Sequence, residues 1–361
     1  MVYPYSGQLA IVNLVIWLVL ILKYKKVYFR EQCVSGNHVV LIFFATLFCT
    51  FAFSEADTYH YHTLYDKMLI FNERTHVEPF YYWLVKVLPH NYYVWRCGIW
   101  GVAMLLFIGT AKRYDVNPMT LCFVFPMILM QQFALTRGAL GIALFLFSSS
   151  YIIKPGSNRI ISCILGIVGC VVSLYLHKSL PLFAFIALFA FVPLKKWTLA
   201  VLLVMFPVIR GFIIPFVFEM LGTSFFSEET VEFATNYLER EQSKANFNGM
   251  IRYVVDYTPR FMCFFILVRE FVFKAKFKTP KEIKILFQYS FLLFYVALLF
   301  WGQNTSSFVT NRTLHMMCFP LTITLSYILY TTKRNKLTKI TMLLFLFSDL
   351  FAFSYTIYSC W

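Results

Sequence analysis

The strongest constraint in this sequence is its series of long apolar runs, each close to the length that a helix needs to cross a lipid bilayer. About 20 residues of α-helix span the hydrocarbon core. The runs lie at residues 8–22, 38–53, 91–110, 118–134, 137–153, 160–176, 179–194, 197–217, 257–273, 285–302, 313–331 and 340–358. The sequence therefore predicts an all-α, polytopic integral membrane protein with about 12 transmembrane helices in one domain, residues 1–361.

The balance of residue types excludes the main soluble classes. The chain is 60% hydrophobic and only 14% charged, whereas a soluble domain carries about 25% charged residues. A soluble protein of this length has no core large enough to bury so much apolar surface. The nine cysteines are scattered without metal-binding spacing, so we interpret them as small hydrophobic residues.

Lysine and arginine occur in short clusters that fall in alternate loops between the runs. These clusters explain much of the net charge of +15 by the positive-inside rule, so no nucleic-acid partner is expected. All of them face one side of the predicted map, the cytoplasm, which puts both termini outside. The clusters are Lys23/Lys25/Lys26/Arg30, Lys112/Arg113, Lys154/Arg159, Lys195/Lys196, Lys274/Lys276/Lys278/Lys281/Lys284 and Lys333/Arg334/Lys336/Lys339.

Two longer segments, about 54–90 and 218–256, are predicted on the external face. The cytoplasmic loops are too short for a nucleotide-binding domain. Within the second segment, Ser227 and the two glutamates after it are typical of a helix start. We expect an amphipathic helix there, lying on the external surface. The stretch 80–89 is too short to span and is predicted to be re-entrant, and 118–153 is predicted to form two short helices.

Arginines near the external surface are the first candidate site residues. A charged residue within a span costs roughly 2.5–3.5 kcal/mol and usually faces a cavity or a partner. Arg137 and Arg312 interrupt apolar sequence, and Arg252 and Arg260 flank the start of the ninth span. Arginine grips phosphate oxygens through two parallel hydrogen bonds. The alternatives are interfacial snorkelling and pairing with an external carboxylate such as Asp256.

Carboxylates among tyrosines form the second candidate group. Asp57 and Glu78 lie in the first external segment with Tyr59, Tyr61 and Tyr65. Rings can cover sugar faces, and a carboxylate can act as a general base. His177 is the reserve base, because imidazole titrates near neutral pH.

Three alternatives stay open for this segment. Tyrosine belts are common at membrane interfaces. The His60-x-His62 spacing and the Glu55-x-Asp57 pair are each compatible with a divalent metal. We expect a mechanism without metal or other cofactor, in which the arginines supply the positive charge.

The order of these residues resembles that of the EpsG-like family of bacterial polysaccharide polymerases, a branch of the Wzy-type enzymes. The likeness extends over about residues 50–335. It lies in Asp57 with Tyr61 and Tyr65, Glu78-Pro79-Phe80-Tyr81-Tyr82, Thr136-Arg137-Gly138-Ala139-Leu140-Gly141 leading to Ser148-Ser149-Ser150 and Lys154, Leu176-His177-Lys178-Ser179 and the late Arg312. One departure is that the family commonly has Arg-Gln before the small-residue helix, whereas here Gln131-Gln132 precede Arg137 and Gly138 follows it.

The resemblance implies polymerisation of undecaprenyl-pyrophosphate-linked oligosaccharides at the outer face of the bacterial inner membrane. The growing glycan would leave its lipid pyrophosphate for a sugar hydroxyl of the next lipid-linked unit. Arg137 and Arg312 would hold the pyrophosphate. Gln132, Arg252, Arg260 and the three tyrosines would contact substrate. Partners would be the bilayer, the lipid-linked substrates and a chain-length regulator and flippase of the same pathway.

Two other function classes stay open. A transporter or flippase would show inverted repeats and helices broken at mid-membrane, and neither is visible in the sequence. A membrane O-acyltransferase would need a well-placed histidine, for which His177 is a candidate, and access to a cytoplasmic acyl donor. The polar residues concentrate on the predicted external side, which favours the polymerase.

The predicted topology can be tested by cysteine labelling with a membrane-impermeant reagent, measured against the wild-type background. A Pro280→Cys chain should react only after the cells are opened, whereas a Thr235→Cys chain should react in intact cells, since these positions fall on opposite sides of the predicted map. Labelling of position 280 from outside would overturn it.

Overall fold

The computed structural model describes residues 56–71, 78–116, 136–177, 180–213, 261, 264–265, 267–274, 279–300 and 307–331. All regular elements in these ranges are helical, as predicted. They are α1 Ala56–Ile70, α2 Pro79–Val87, α3 Tyr92–Arg113, α4 Thr136–Ile153, α5 Arg159–Leu174, α6 Leu180–Phe189, α7 Lys196–Val208, α8 Lys281–Phe300 and α9 Ser307–Thr331, with π-helical turns at Ile209–Ile213 and Arg269–Lys274.

Three of the described helices are long and apolar enough to cross a bilayer, judged by length and composition: Tyr92–Arg113, Lys196–Ile213 and Lys281–Phe300. Four apolar helices are shorter: Arg137–Ile153, Arg159–Leu174, Leu180–Phe189 and Thr313–Ile328. Together they match seven of the predicted spans, and the total of about 12 stays a prediction. The predicted spans 8–22, 38–53, 118–134 and 340–358 and the predicted amphipathic helix lie outside the described residues, and 257–273 is described only in part.

The chain groups into two compact units, residues 1–185 with 318–361, and residues 186–317. In the first unit, α3 and α4 run parallel. A methyl group added at Gly109 would stand 2.8 Å from the ring of Phe147, and further along both helices Arg113 lies 3.7 Å from the ring centre of Tyr151. Later residues of one helix thus meet later residues of the other, as the predicted map requires of two helices that both start outside.

Helix α5 packs on α4 in the opposite direction. Gly166, near the middle of α5, lies against Ser148 and Ile152 towards the end of α4. Cys170, one turn later in α5, approaches the carbonyl of Phe145, earlier in α4, at 3.9 Å. This antiparallel contact agrees with the predicted return of the chain between 153 and 160.

The buried and the exposed residues of α5 differ in the way expected of a helix in lipid. Its buried residues are Ser162, Gly166 and Ser173. Its outward residues are large aliphatic side chains, each 47% to 73% exposed: Ile160, Ile161, Ile164, Leu165, Ile167, Val168, Val171 and Val172. A soluble helix shows the reverse pattern, whereas helices in lipid pack through small residues and turn aliphatic ones outward. We conclude that α5 is a membrane helix.

Side-chain caps mark where two helices of this unit begin. Asn91 precedes α3 and accepts hydrogen bonds from the backbone N–H groups of Tyr93, at 2.9 Å, and Val94, at 3.3 Å. Asn158 caps α5 in the same way through the N–H of Ile161. These amides satisfy N–H groups that have no partner within the helix.

The second unit is organised around α8, whose apolar residues are largely buried. The Tyr295 hydroxyl donates to the carbonyl of Leu202 in α7 at 2.6 Å. The amide of Gln288 donates to the carbonyl of Val192 at 2.9 Å, and Phe294 stacks on Phe264 with ring centres 4.5 Å apart. No residue of α7 is buried, and its contact with α8 is made by the partly buried side chains of Leu202 and Phe206.

Gly166→Ala should lower the thermal stability of the protein in mild detergent. Its Cβ would stand 2.6 Å from Ile152 Cγ1 and 2.9 Å from the Ser148 carbonyl oxygen, and a backbone atom cannot step aside. Overpacking of this kind costs about 1–3 kcal/mol. Thermal unfolding followed by circular dichroism measures the effect.

Gly98→Ala is the matched control, because the nearest side-chain atom to its new Cβ would be Leu88 Cδ1 at 3.8 Å. Alanine is the better helix former by about 1 kcal/mol, so this variant should unfold at or above the wild-type temperature. Equal melting temperatures for the two variants would contradict the close α4–α5 contact.

Candidate functional site

A buried ion pair joins the start of α4 to the start of α2. The guanidinium Nη1 of Arg137 donates to the carboxylate Oε2 of Glu78 at 2.6 Å, across 59 residues of sequence. The Arg137 side chain is 15% exposed and that of Glu78 is 8% exposed. A lone charge in such surroundings costs free energy, so each of the two side chains can be buried only because the other is there.

The local sequence explains why Glu78 can reach Arg137. Pro79 follows Glu78 and holds it extended, with φ −64° and ψ 141°, as a proline requires of the residue before it. Glu78 therefore stands just outside α2. Its side chain makes no capping bond to this helix, so the carboxylate points across to Arg137 instead.

A second contact from α2 fixes the same turn of α4. Tyr81 is completely buried and donates its hydroxyl to the backbone carbonyl of Arg137 at 2.8 Å. Burial raises the pKa of Tyr81 well above its ordinary value, Glu78 adds to the rise, and Arg137 opposes it. The phenol therefore stays protonated and remains a donor.

An aromatic cluster lies next to the ion pair. It consists of Tyr65, Tyr81, Tyr92 and Trp95, none of them more than 3% exposed. The Trp95 ring centre lies 5.7 Å from that of Tyr65 and 6.3 Å from that of Tyr81, and these rings meet at steep angles. Such packing is typical of a protein core.

Two of the three predicted sugar-binding tyrosines have described side chains: Tyr65 belongs to this cluster, and Tyr61 lies near Arg137. Tyr61 is 5% exposed, and the Arg137 guanidinium lies 5.5 Å from its ring centre. Tyr65 packs against Tyr92 and Trp95. Their rings contact other protein groups, and their role in holding a sugar stays a prediction.

His177 comes to the same end of α4 as Arg137. It follows α5 and is 6% exposed, and its carbonyl accepts the N–H of Leu180 at 3.0 Å. The leucines on either side of it, Leu176 and Leu180, lie against Gly141. Gly141 is one helical turn beyond Arg137, on the same face of α4.

The other predicted site residues are only partly described. Asp57 and Tyr59 lie in α1, and Arg312 lies in α9 in the other compact unit, but their side chains fall outside the described residues. Glu55, Gln132, Arg252 and Arg260 lie outside the described ranges altogether. Among the described residues, no group of three His, Cys, Asp or Glu side chains is placed to hold a metal ion.

One buried cation was not predicted from the sequence. Arg96 lies in α3, within a predicted span and beside Trp95, and is 1% exposed. The rule that singled out Arg137, an ionisable residue inside an apolar run, applies to Arg96 equally. Tyr81 was named only as part of the family resemblance, and its hydroxyl bond to α4, the second link between α2 and α4, was not predicted.

The opposite end of α3 and α4 provides a contrast. There Lys154 pairs with Asp115, whose side chain is 81% exposed, and Arg113 donates to the Lys154 carbonyl at 2.7 Å. Asp115 has a positive φ of 55°, the left-handed conformation that ends many helices. These groups fasten two helix ends at the surface predicted to be cytoplasmic.

Removing one partner of the Arg137–Glu78 pair should destabilise the protein strongly. Glu78→Gln and Arg137→Gln should each lower the melting temperature, since a buried charge left without its partner costs about 3–5 kcal/mol. The double variant should lose less than the sum of the two.

The Asp115–Lys154 pair supplies the control cycle, with Asp115→Asn and Lys154→Gln. Exposed pairs contribute roughly 1 kcal/mol or less, so these effects should simply add. Additive losses at Glu78 and Arg137 as well would show that the buried contact does not couple the two residues.

Comparison with known proteins gives the family. Neither the curated proteins nor the solved structures include a match to this chain. The sequence matches the EpsG family over residues 38–360, which includes α1 to α9 and all the site residues above. This family is associated with polysaccharide polymerases of the Wzy type, and its match agrees with the lipid-facing helices. The chain belongs to the EpsG family and is a membrane protein of polysaccharide biosynthesis.

Proposed function

We propose that this protein is a membrane glycosyltransferase that polymerises undecaprenyl-pyrophosphate-linked oligosaccharide repeat units at the outer face of the bacterial inner membrane. The observation that carries the proposal is the Arg137–Glu78 pair, a fixed cation at the end of α4 that is predicted to face outward. The family match supports the same pathway.

The proposed reaction exchanges one bond at the anomeric carbon of the growing glycan. The oxygen of an acceptor sugar hydroxyl bonds to that carbon, and the carbon's bond to the lipid pyrophosphate breaks. The electron pair leaves with the pyrophosphate, so negative charge develops on the leaving group. Fixed positive charge beside it lowers the barrier.

Arg137 is suited to this task by the way it is held. A guanidinium has five N–H donors in a rigid fork, so it can hold Glu78 and a phosphate oxygen at the same time. The Glu78 bond and the Tyr81 bond to its carbonyl set its position before substrate arrives. A cation that needs no rearrangement during the reaction stabilises the developing charge most effectively.

Glu78 serves best as a positioning group for Arg137. Its carboxylate lies 2.6 Å from the guanidinium, and that engagement weakens its suitability as a general base. Proton transfer from the acceptor then falls to Asp57 or His177. Arg312, Arg252 and Arg260 remain further candidates for substrate contact, by the sequence argument alone.

Arg137→Lys should reduce polymerisation of lipid-linked repeat units by purified protein by about 10²-fold or more, the usual effect of removing one preorganised donor at developing charge. Lysine keeps the charge and can still pair with Glu78, but it loses the bidentate fork. Glycan length on gels measures the outcome.

Arg113→Lys is the matched control, because the Arg113 guanidinium also lies over a tyrosine ring, but at the opposite end of α3 and α4. It should polymerise at the wild-type rate. If Arg137→Lys expresses normally and polymerises as well as Arg113→Lys, the proposed role of Arg137 is wrong.

A further inference from the structure

Gly141 occupies the point where α4 meets the turn that carries His177. A Cβ at this position would overlap Leu180 Cδ1 and would stand 3.4 Å from Leu180 Cγ and 3.6 Å from Leu176 Cβ. Leu180 is completely buried and Leu176 is 4% exposed. The turn therefore lies directly against α4, and a Cβ at Gly141 would force the end of the Leu180 side chain to move.

This contact determines how far His177 stands from the Arg137 end of α4. Positions 137 and 141 share one face of the helix, about 6 Å apart along its axis. His177 lies between the two leucines that touch Gly141, and its carbonyl closes the turn by accepting the Leu180 N–H at 3.0 Å. Because Leu180 is completely buried, we expect a displacement of its side chain to shift the turn that carries His177.

We propose that Gly141 is a positioning residue that seats His177 beside the Arg137–Glu78 pair, where His177 takes the proton of the acceptor hydroxyl. The inference rests on the proposed function and names its proton acceptor. As the hydroxyl oxygen bonds to the anomeric carbon, its proton passes to the imidazole. The electron pair of the broken bond leaves on the pyrophosphate, held by Arg137.

The contacts suggest different roles for Glu78, His177 and Gly141. Glu78 is engaged by the guanidinium at 2.6 Å, so it orients Arg137. His177 is buried at the same end of α4, and an imidazole exchanges protons readily near neutral pH. Gly141 acts only through the placement of His177, because it has no side chain to offer.

The test compares kcat and KM for lipid-linked repeat units with purified protein. Gly141→Ala should lower kcat by about 10²-fold, which a displacement of about 1 Å can cause, and leave KM nearly unchanged, because Arg137 and Glu78 keep their positions. His177→Gln should lower kcat by about 10²-fold or more. Gly98→Ala, the same substitution where a Cβ finds room, should behave as wild type.

The combined variant tests whether Gly141 acts through His177. Gly141→Ala together with His177→Gln should be no slower than His177→Gln alone. Multiplying losses would overturn the inference, as would a Gly141→Ala variant with wild-type kcat. If no variant and not even the wild-type chain forms polymer, the proposed function itself has failed.

A second variant, which makes room for the new Cβ, keeps the test decisive if Gly141→Ala folds poorly. Leu180→Ala removes the atoms that the new Cβ would meet, so the pair Gly141→Ala with Leu180→Ala should regain most of the kcat of Leu180→Ala alone. A folded double variant that stays as slow as Gly141→Ala would show that the lost activity does not come from this contact.

Discussion

The contact between Arg137 and Glu78 is the interaction on which the described site depends. Each side chain is largely buried, and neither charge could be kept there alone, because desolvating an ion costs several kcal/mol. Pairing makes the burial affordable and also fixes α2 to the first turn of α4. The Tyr81 hydroxyl fixes that turn a second time, so Arg137 is held by two contacts from the start of α2 before any substrate binds.

The close helix packing around this ion pair follows from the lipid that surrounds the helices. Lipid gives no hydrophobic reason for one helix to pack on another, so close contact comes from small residues. Gly109, Gly141, Gly166 and Gly169 each lie where a neighbouring side chain occupies the space of a Cβ. This close packing brings the turn of His177 towards Arg137. Tyr65, Tyr81 and Trp95 pack against one another next to the pair.

The helices were predictable because bilayer thickness leaves few options for an apolar run. The predicted run 91–110 became Tyr92–Arg113, and 160–176 became Arg159–Leu174. It was also predictable that Arg137 would face a cavity or a partner, because a charge within apolar sequence is costly. Its partner was not, because pairing across 59 residues depends on packing that no local pattern reports. Pairing with an external carboxylate was one of the alternatives for such an arginine, with Asp256 named as the example, and the structure joins Arg137 to Glu78. The predicted role of Glu78 as a base stays a prediction.

We propose that fixed guanidinium charge, rather than a bound metal, stabilises the pyrophosphate leaving group. Purified protein supplied with lipid-linked repeat units in excess EDTA tests this directly. If the guanidinium charge suffices, polymer of undiminished length still forms at an undiminished rate. Activity that vanishes with EDTA and returns with Mg²⁺ or Mn²⁺ would contradict it, and would reassign Glu55 and Asp57 to metal ligation.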